Sequence, residues 1–296
     1  MIERRGAEAP RKPQGGFMNT FFLGASASRR CKRLFPALCL LGVLVAPPAQ
    51  AVGFSGDSRQ GGEASQFAPE TIIRFSKKVE RALAARGARV AILARMGRPP
   101  AQLPEGMHFT HAGFAVYSEI TTRDGRKLPG YAVYNLYQNG ARPDTSALVQ
   151  DYAVDFFAGV AVLEAGVVVP SPELQQRLLE LIASPTYASL HEPRYSAIAN
   201  PYTLGRQNCT EFVLDVVNAA IYQTDDIRKI KSAERSYFTA QKVNVSPLKL
   251  MFGSMFSSEV SLSDQPGEPV TATFESITRY LEKYDQGAVS FSVFAE

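Results

Sequence analysis

Two apolar segments joined by a polar turn constrain the fold of this chain most. The first segment covers residues 111–117, the second covers residues 131–138, and Asp124-Gly125 lies between them. Asp-Gly favours tight turns because both residues tolerate a left-handed backbone. The pattern predicts an antiparallel hairpin, and a turn centred on Asp124-Gly125 places Gln138 opposite His111 to within about two residues.

An amphipathic helix is predicted to begin at Cys209. Apolar residues recur from there at steps of three and four, and Asn208 with Glu211 forms an asparagine version of the capping box. Further patterns predict helices beginning near residues 69, 171, 246 and 273 and short strands at residues 90–94 and 288–294. This mixture predicts the α+β class, with helices packed on an antiparallel sheet in a single domain over residues 68–296.

The N-terminal region has the pattern of a secretory signal peptide. A basic cluster at residues 29–33 precedes an apolar run at 34–46, which is followed by the small-x-small sequence Ala49-Gln50-Ala51. The run of about 13 residues is too short to span a bilayer. We therefore expect cleavage after about Ala51, translation that starts at Met18, and export to the periplasm. The following Gly- and Ser-rich residues 52–67 predict a flexible start of the mature protein.

Removing the leader changes the charge of the chain. The chain has 32 Lys+Arg and 28 Asp+Glu residues, and residues 1–51 contain 8 of the basic and 2 of the acidic residues. The remaining 24 basic and 26 acidic residues give a net charge of −2. This balance and the lack of a basic stripe argue against nucleic-acid binding. No second apolar run reaches transmembrane length, so we expect no membrane span after cleavage.

Cys209 is the most informative candidate for chemistry. Cys31 and Cys39 leave with the leader, so Cys209 remains as a lone thiol at a helix start. A helix N-terminus lowers a thiol pKa, and an imidazole beside it supplies a base. We therefore consider Cys209 as nucleophile and His111, at a strand edge, as base.

Polar residues near this pair have candidate supporting roles. Asn135 or Gln138, on the second predicted strand, could orient the imidazole. Gln207, Asn208 and Glu211 are candidates for oxyanion stabilisation or helix capping. An alternative without chemistry stays open, since free cysteine is among the most buried residue types and Asn208 could simply cap the helix.

Metal and cofactor binding are not expected. His108 and His111 are three apart on a strand and so point to opposite faces, which disfavours a shared metal site with Cys209. No phosphate-binding glycine loop or other cofactor motif is present.

Several segments resemble an exported bacterial family, domain of unknown function 2145. They are Thr110-His111-Ala112-Gly113-Phe114, Tyr134-Asn135-Leu136-Tyr137, residues 148–152 with 156–157, and Asn208-Cys209-Thr210-Glu211-Phe212. More distantly, the order of histidine strand, polar strand and cysteine helix resembles permuted papain-like proteins of the NlpC type. That resemblance implies a papain-like fold with His111 as base, Cys209 as nucleophile and Asn135 or Gln138 as orienting residue.

These observations favour a periplasmic thiol hydrolase or acyltransferase acting on an amide or ester bond. The substrate would be an envelope component, namely a peptide, a lipid or a protein tail. The alternative is a non-catalytic envelope protein on the same scaffold, with Cys209 a buried packing residue. An exposed thiol that pairs with another protein is a third possibility.

Overall fold

A computed structural model describes residues 65–122, 124–244, 246 and 259–295 of this chain. All of these residues belong to one compact unit. The predicted leader at residues 1–51, most of the segment at 52–67, and the helix expected near residue 246 apart from Ser246 itself lie outside the described residues.

Helices and strands follow one another along the chain in an irregular order, and most of the strands form one antiparallel sheet. The helices are α1 (Pro69–Ala84), α2 (Ala153–Phe156), α3 (Pro172–Ile182), α4 (Pro185–Ser189), α5 (Cys209–Tyr222), α6 (Ile227–Tyr237) and α7 (Phe274–Tyr284), with a 3₁₀ turn at Pro100–Gln102. The strands are β1 (Val90–Met96), β2 (His111–Thr121), β3 (Lys127–Asn139), β4 (Arg142–Tyr152), β5 (Val162–Val169), β6 (Gln241–Lys242), β7 (Val270–Thr271) and β8 (Val289–Phe294). The prediction of the α+β class is confirmed.

Six strands form the main sheet in the order β4-β3-β2-β1-β5-β8, and every neighbouring pair is antiparallel. The short strands β6 and β7 pair separately. Among the described helices, none has the length and apolar character needed to cross a membrane.

The predicted hairpin is formed by β2 and β3, and its register differs from the expectation by one residue. Gly125 adopts a φ of 81°, as a tight turn requires. Gly113 pairs with Asn135. Continuing this register places Tyr137 opposite His111, and the two rings stack with centroids 4.7 Å apart. Gln138 is therefore not the neighbour of His111 on this face, because a shift of one residue moves a side chain to the other face of a sheet.

The sheet separates two hydrophobic cores. We call one side the α5 face, where Ala112, Phe114 and Leu136 pack with residues of α3, α5 and α7. The other is the α1 face, where Ala115 and Val133 pack with residues of α1 and α2. Because side chains alternate along a strand, neighbouring residues of β2 and β3 belong to different cores.

The helix α5 follows its sequence pattern closely. Asn208 caps it by accepting a hydrogen bond from the Glu211 backbone N–H at 2.8 Å. Every residue from Cys209 to Ala220 is buried, so α5 is a central helix of the core and has no solvent-facing side over these residues. It ends at Gln223, whose φ of 49° is a left-handed cap.

Candidate functional site

Cys209 is the first residue of α5, the helix that packs on the α5 face of the sheet. Its side chain is buried, with 3% exposed. It forms no disulfide, and it is the one cysteine of the described residues. The position at a helix N-terminus agrees with the sequence prediction, but the burial leaves the thiol out of contact with solvent.

His111 lies on the opposite face of the sheet. It begins β2 with the same orientation as Gly113 and Ala115, and its ring contacts Tyr137 and Phe156 on the α1 face. A thiol–imidazole pair requires direct contact between the two groups. The helix that Cys209 begins packs on one face of the sheet, whereas the aromatic contacts of the His111 ring lie on the other face.

His111 instead belongs to a buried polar network on the α1 face. Its Nε2 lies 3.1 Å from Asn135 Oδ1, and Asn135 Nδ2 donates to Val133 O. The Tyr137 hydroxyl donates to Asp151 Oδ2 at 2.7 Å. Because Asn135 uses its NH₂ group elsewhere, its oxygen accepts and His111 Nε2 carries the proton.

The environment of His111 favours the neutral imidazole. Burial lowers the pKa of His111 well below its usual value, and the neighbouring Arg95 guanidinium lowers it further, while the hydrogen bond to Asn135 partly opposes both effects. Arg95 is held in place by donating to the Phe156 carbonyl oxygen. His111 Nδ1 is buried and has no hydrogen-bond partner among the described residues.

The two candidate orienting residues have different positions. Asn135 contacts His111, as the sequence suggested, and Gly113 makes room for it because a Cβ at Gly113 would collide with Asn135 Oδ1. Gln138 is buried without contacting His111, and its Nε2 donates to Pro143 O at 2.8 Å. The expectation that Gln138 lies beside His111 is corrected by the observed register.

Gln207 and Asn208 are occupied by structural hydrogen bonds. Asn208 Nδ2 donates to Ala197 O at 3.1 Å and to Thr271 Oγ1 at 3.0 Å. Gln207 Nε2 donates to Leu190 O at 3.1 Å and to Asp215 Oδ2 at 2.7 Å. These side chains therefore hold the start of α5 in place and have no amide donor left for an oxyanion.

Glu211 belongs to a buried ionic cluster between α5 and α6. Lys231 Nζ lies 2.8 Å from Glu211 Oε1, 2.6 Å from Asp215 Oδ1 and 3.2 Å from Glu234 Oε2. All four side chains are at least 97% buried. We call these four residues the Lys231 cluster.

The sequence interpretation missed the Lys231 cluster. Glu211 and Asp215 are four apart on α5, and Lys231 and Glu234 are three apart on α6, so each pair shares a helix face. This spacing is compatible with a charged cluster buried between two helices, but the same spacing also occurs on exposed helices. Elsewhere, His191 is half-buried, with its Nε2 2.9 Å from Ser146 Oγ.

Comparison with known proteins identifies a family and no closer relative. No curated protein and no solved structure matches the chain. A family described as an uncharacterized protein conserved in bacteria, DUF2145, matches residues 82–281. The match covers well over half of the chain and includes the sheet from β2 to β5, the Lys231 cluster and Cys209. The chain therefore belongs to this bacterial family, domain of unknown function 2145.

Proposed function

We propose that this protein is an exported envelope protein that acts by binding, with Cys209 a packing residue of the α5 face. The proposal is supported mainly by the packing of α5, which Cys209 begins, on the face of the sheet opposite to the one on which the His111 ring contacts Phe156. A thiol hydrolase or acyltransferase of the permuted papain type would need these two groups in contact. The Cys209 residue is also 97% buried, which is typical of a packing cysteine.

The surroundings of both residues support a structural role. His111 is held neutral among Arg95, Asn135 and two aromatic rings, so it is tied into the α1 face. The residue before Cys209 is fixed by its capping and anchoring hydrogen bonds. Such fully engaged polar groups specify a unique packing of a core.

Alkylation of Cys209 tests the proposal. We expect iodoacetamide to label Cys209 of the native chain only at the rate at which the protein unfolds, with labelling located by mass spectrometry of the peptide. The variant Ser236→Cys supplies a matched exposed thiol on α6, which we expect to react at once. In His111→Ala, the rate can rise through lost stability, but the pH midpoint of labelling should not move.

The opposite result would restore the enzyme interpretation. Rapid native labelling of Cys209, with a midpoint well below the ordinary thiol value of about 8.5 that rises in His111→Ala, would establish a thiol–imidazole pair. That outcome would overturn the binding proposal and justify a search for amide and ester substrates.

Export is the second part of the proposal, and it is supported by the order of basic, apolar and small residues before Ala51. We expect the periplasmic fraction to contain a chain that begins after about Ala51 by N-terminal sequencing. Neutralising the four basic residues at 29–33 should retain the protein inside the cell. The matched control neutralises the four basic residues at positions 4, 5, 11 and 12. This control should still be exported, since translation is expected to start at Met18. Equal export of both variants would contradict the leader.

A further inference from the structure

A polar cleft of about 490 Å³ opens above the Lys231 cluster. Its walls come from α5, α6 and the segment 189–207 that precedes α5. Glu211, Asp215 and Lys231 lie at its buried end, and Arg194 and Arg206 lie at its outer end. This volume is within the range of small-molecule sites in proteins.

The buried end of the cleft has more carboxylates than cations. Lys231 is the one ammonium group of its cluster and contacts the carboxylates of Glu211, Asp215 and Glu234. Lys231 Nζ donates hydrogen bonds to Glu211 and Asp215, and its contact with Glu234 is an ion pair at 3.2 Å. The cluster therefore holds three carboxyl groups around a single ammonium group.

Two carboxylate oxygens of the cluster, Glu211 Oε2 and Glu234 Oε2, have no hydrogen-bond partner among the described residues. Asp215 Oδ2 accepts from Gln207, and Glu234 Oε1 accepts from Asn218 at 3.4 Å. Of the two residues with an unpartnered oxygen, Glu211 is the one that lines the cleft, and its side chain is 99% buried. A buried charge without a donor is costly, so such an atom indicates a missing donor or a proton.

The electrostatic environment of Glu211 agrees with the lack of a hydrogen-bond donor at its Oε2. Burial raises the pKa of Glu211 well above its usual value, against the opposing effect of Lys231, and the nearby carboxylates of Asp215 and Asp264 raise it as well. A bound cation would favour the ionised form and would replace that proton. Strongly desolvated acids in clefts are often functional groups.

The outer end of the cleft has the opposite charge. Arg206 lines it, is half-buried, and donates to Tyr195 O at 2.9 Å and Ser263 Oγ at 3.2 Å. No carboxylate forms an ion pair with Arg206 in the part of the chain that the structure describes. Arg194, in contrast, is neutralised by Glu192 at 2.9 Å.

We propose that this cleft binds a small zwitterion, an amino acid or short peptide, with its ammonium group at Glu211 and its carboxylate at Arg206. The ammonium group supplies the donor that Glu211 Oε2 lacks, and the guanidinium forms a charge-assisted pair with the carboxylate. The proposal names the ligand class of the binding protein proposed above and rests on that function.

Isothermal titration calorimetry of the full chain tests the ligand class. The probes are glycine, L-lysine and diglycine, with N-acetyl-diglycine and diglycine amide as matched compounds that lack the ammonium and the carboxylate charge respectively. We expect at least one zwitterion to bind, its affinity to be lost on N-acetylation, and a smaller loss on amidation. Absence of heat for all three zwitterions at concentrations up to about millimolar would overturn the proposal.

Two substitutions test the contacts. Glu211→Gln keeps an acceptor for Lys231 and should lower the affinity at least about tenfold, because a charge-assisted hydrogen bond is lost. Arg206→Gln should weaken the zwitterion by a similar factor and leave the amide unchanged. The exposed substitutions Glu180→Gln and Arg228→Gln are charge-matched controls outside the cleft and should bind as the wild type does.

The outcomes separate this proposal from the proposed function. Unchanged affinity in both cleft variants would overturn the site. If circular dichroism shows that Glu211→Gln does not fold, Arg206→Gln alone decides, since that side chain lies at the outer end of the cleft. A protected Cys209 with no ligand binding would contradict only the zwitterion site, whereas a reactive Cys209 that depends on His111 would contradict the binding function itself.

Discussion

Asn135 shows how a polar residue that resembles a catalytic group can serve the core. It accepts from His111 and donates to the backbone of Val133, at 3.1 Å in each case. Its side chain occupies the space that the absence of a Cβ at Gly113 provides. The motif of histidine, glycine and asparagine is therefore explained by hydrogen bonding across β2 and β3, without any chemistry.

Replacing Asn135 should reveal this structural role. In Asn135→Ala, His111 Nε2 loses its buried acceptor, so we expect the free energy of unfolding to fall by about 1–3 kcal/mol. Urea denaturation followed by circular dichroism measures the change. Gln176→Ala, an exposed amide on α3, should change stability by less than about 0.5 kcal/mol. Equal effects of the two substitutions would contradict the role of the buried hydrogen bond.

The protonation of His111 predicts a pH dependence of stability. Because burial and Arg95 lower the pKa of His111 in the folded state, the unfolded chain binds a proton below about pH 6.5 that the folded protein does not. The stabilising contribution is complete above that pH and is lost as the pH falls towards the folded pKa, by about 1.4 kcal/mol per pH unit.

Denaturation of the wild type and His111→Gln between about pH 7.5 and pH 5 measures this contribution. The difference in unfolding free energy between the two proteins should shift by on the order of 2 kcal/mol over that range, with the wild type losing more as the pH falls. A difference that stays constant with pH would mean that the pKa of His111 is the same in the folded and unfolded states.

At the scale of helices and strands, local sequence signals predicted the elements with strong caps and turns. The cap Asn208, the turn at Asp124-Gly125 and the Ser171-Pro172 start each form as expected. The strands β4 and β5 were not predicted. β4 mixes polar and apolar residues because it is the edge of the sheet, and β5 is a buried apolar run whose pattern does not distinguish strand from helix.

The arrangement of the candidate site could be predicted only in part. The contact of His111 with Asn135 follows from the hairpin, which is local in sequence. The face on which α5 packs is set by long-range contacts, and a helix can cover either side of a sheet. The sequence pattern therefore could not predict that α5 packs on the face opposite to the contacts of His111. It also could not predict that Lys231 is buried against three carboxyl groups.

The Lys231 cluster should hold α6 against α5. In Lys231→Met, three buried carboxylates lose their common cation, so we expect a loss of about 3–5 kcal/mol in unfolding free energy at neutral pH. Part of this loss should be recovered at lower pH, because the carboxyl groups then become neutral. Lys229→Met, on the same helix and with a side chain that is 74% exposed, is the matched control. Similar stabilities of the two variants would show that the cluster contributes little to docking.

The whole molecule is organised around one sheet with a core on each side. Strands β1 and β2 supply alternate side chains to both cores, since Ile92 and Phe114 face α5 while Leu93 and Ala115 face α1. If the packing in one core is lost, the same strands are no longer held in place for the other core. We therefore expect the two cores to unfold together, as small domains commonly do.

This cooperativity makes Cys209 a reporter of events on the far side of the sheet. Leu83, on α1, is 1% exposed and belongs to the α1 core, so Leu83→Ala should cost about 2–5 kcal/mol. If Cys209 is labelled only through global unfolding, its alkylation rate should rise by the factor that corresponds to this loss, tenfold for each 1.4 kcal/mol or so. Ile73→Ala, on the exposed side of the same helix, should leave the rate nearly unchanged. A labelling rate that is the same in Leu83→Ala and in the wild type would instead show a local opening at the start of α5. Such an opening would give a partner or substrate a route to the thiol.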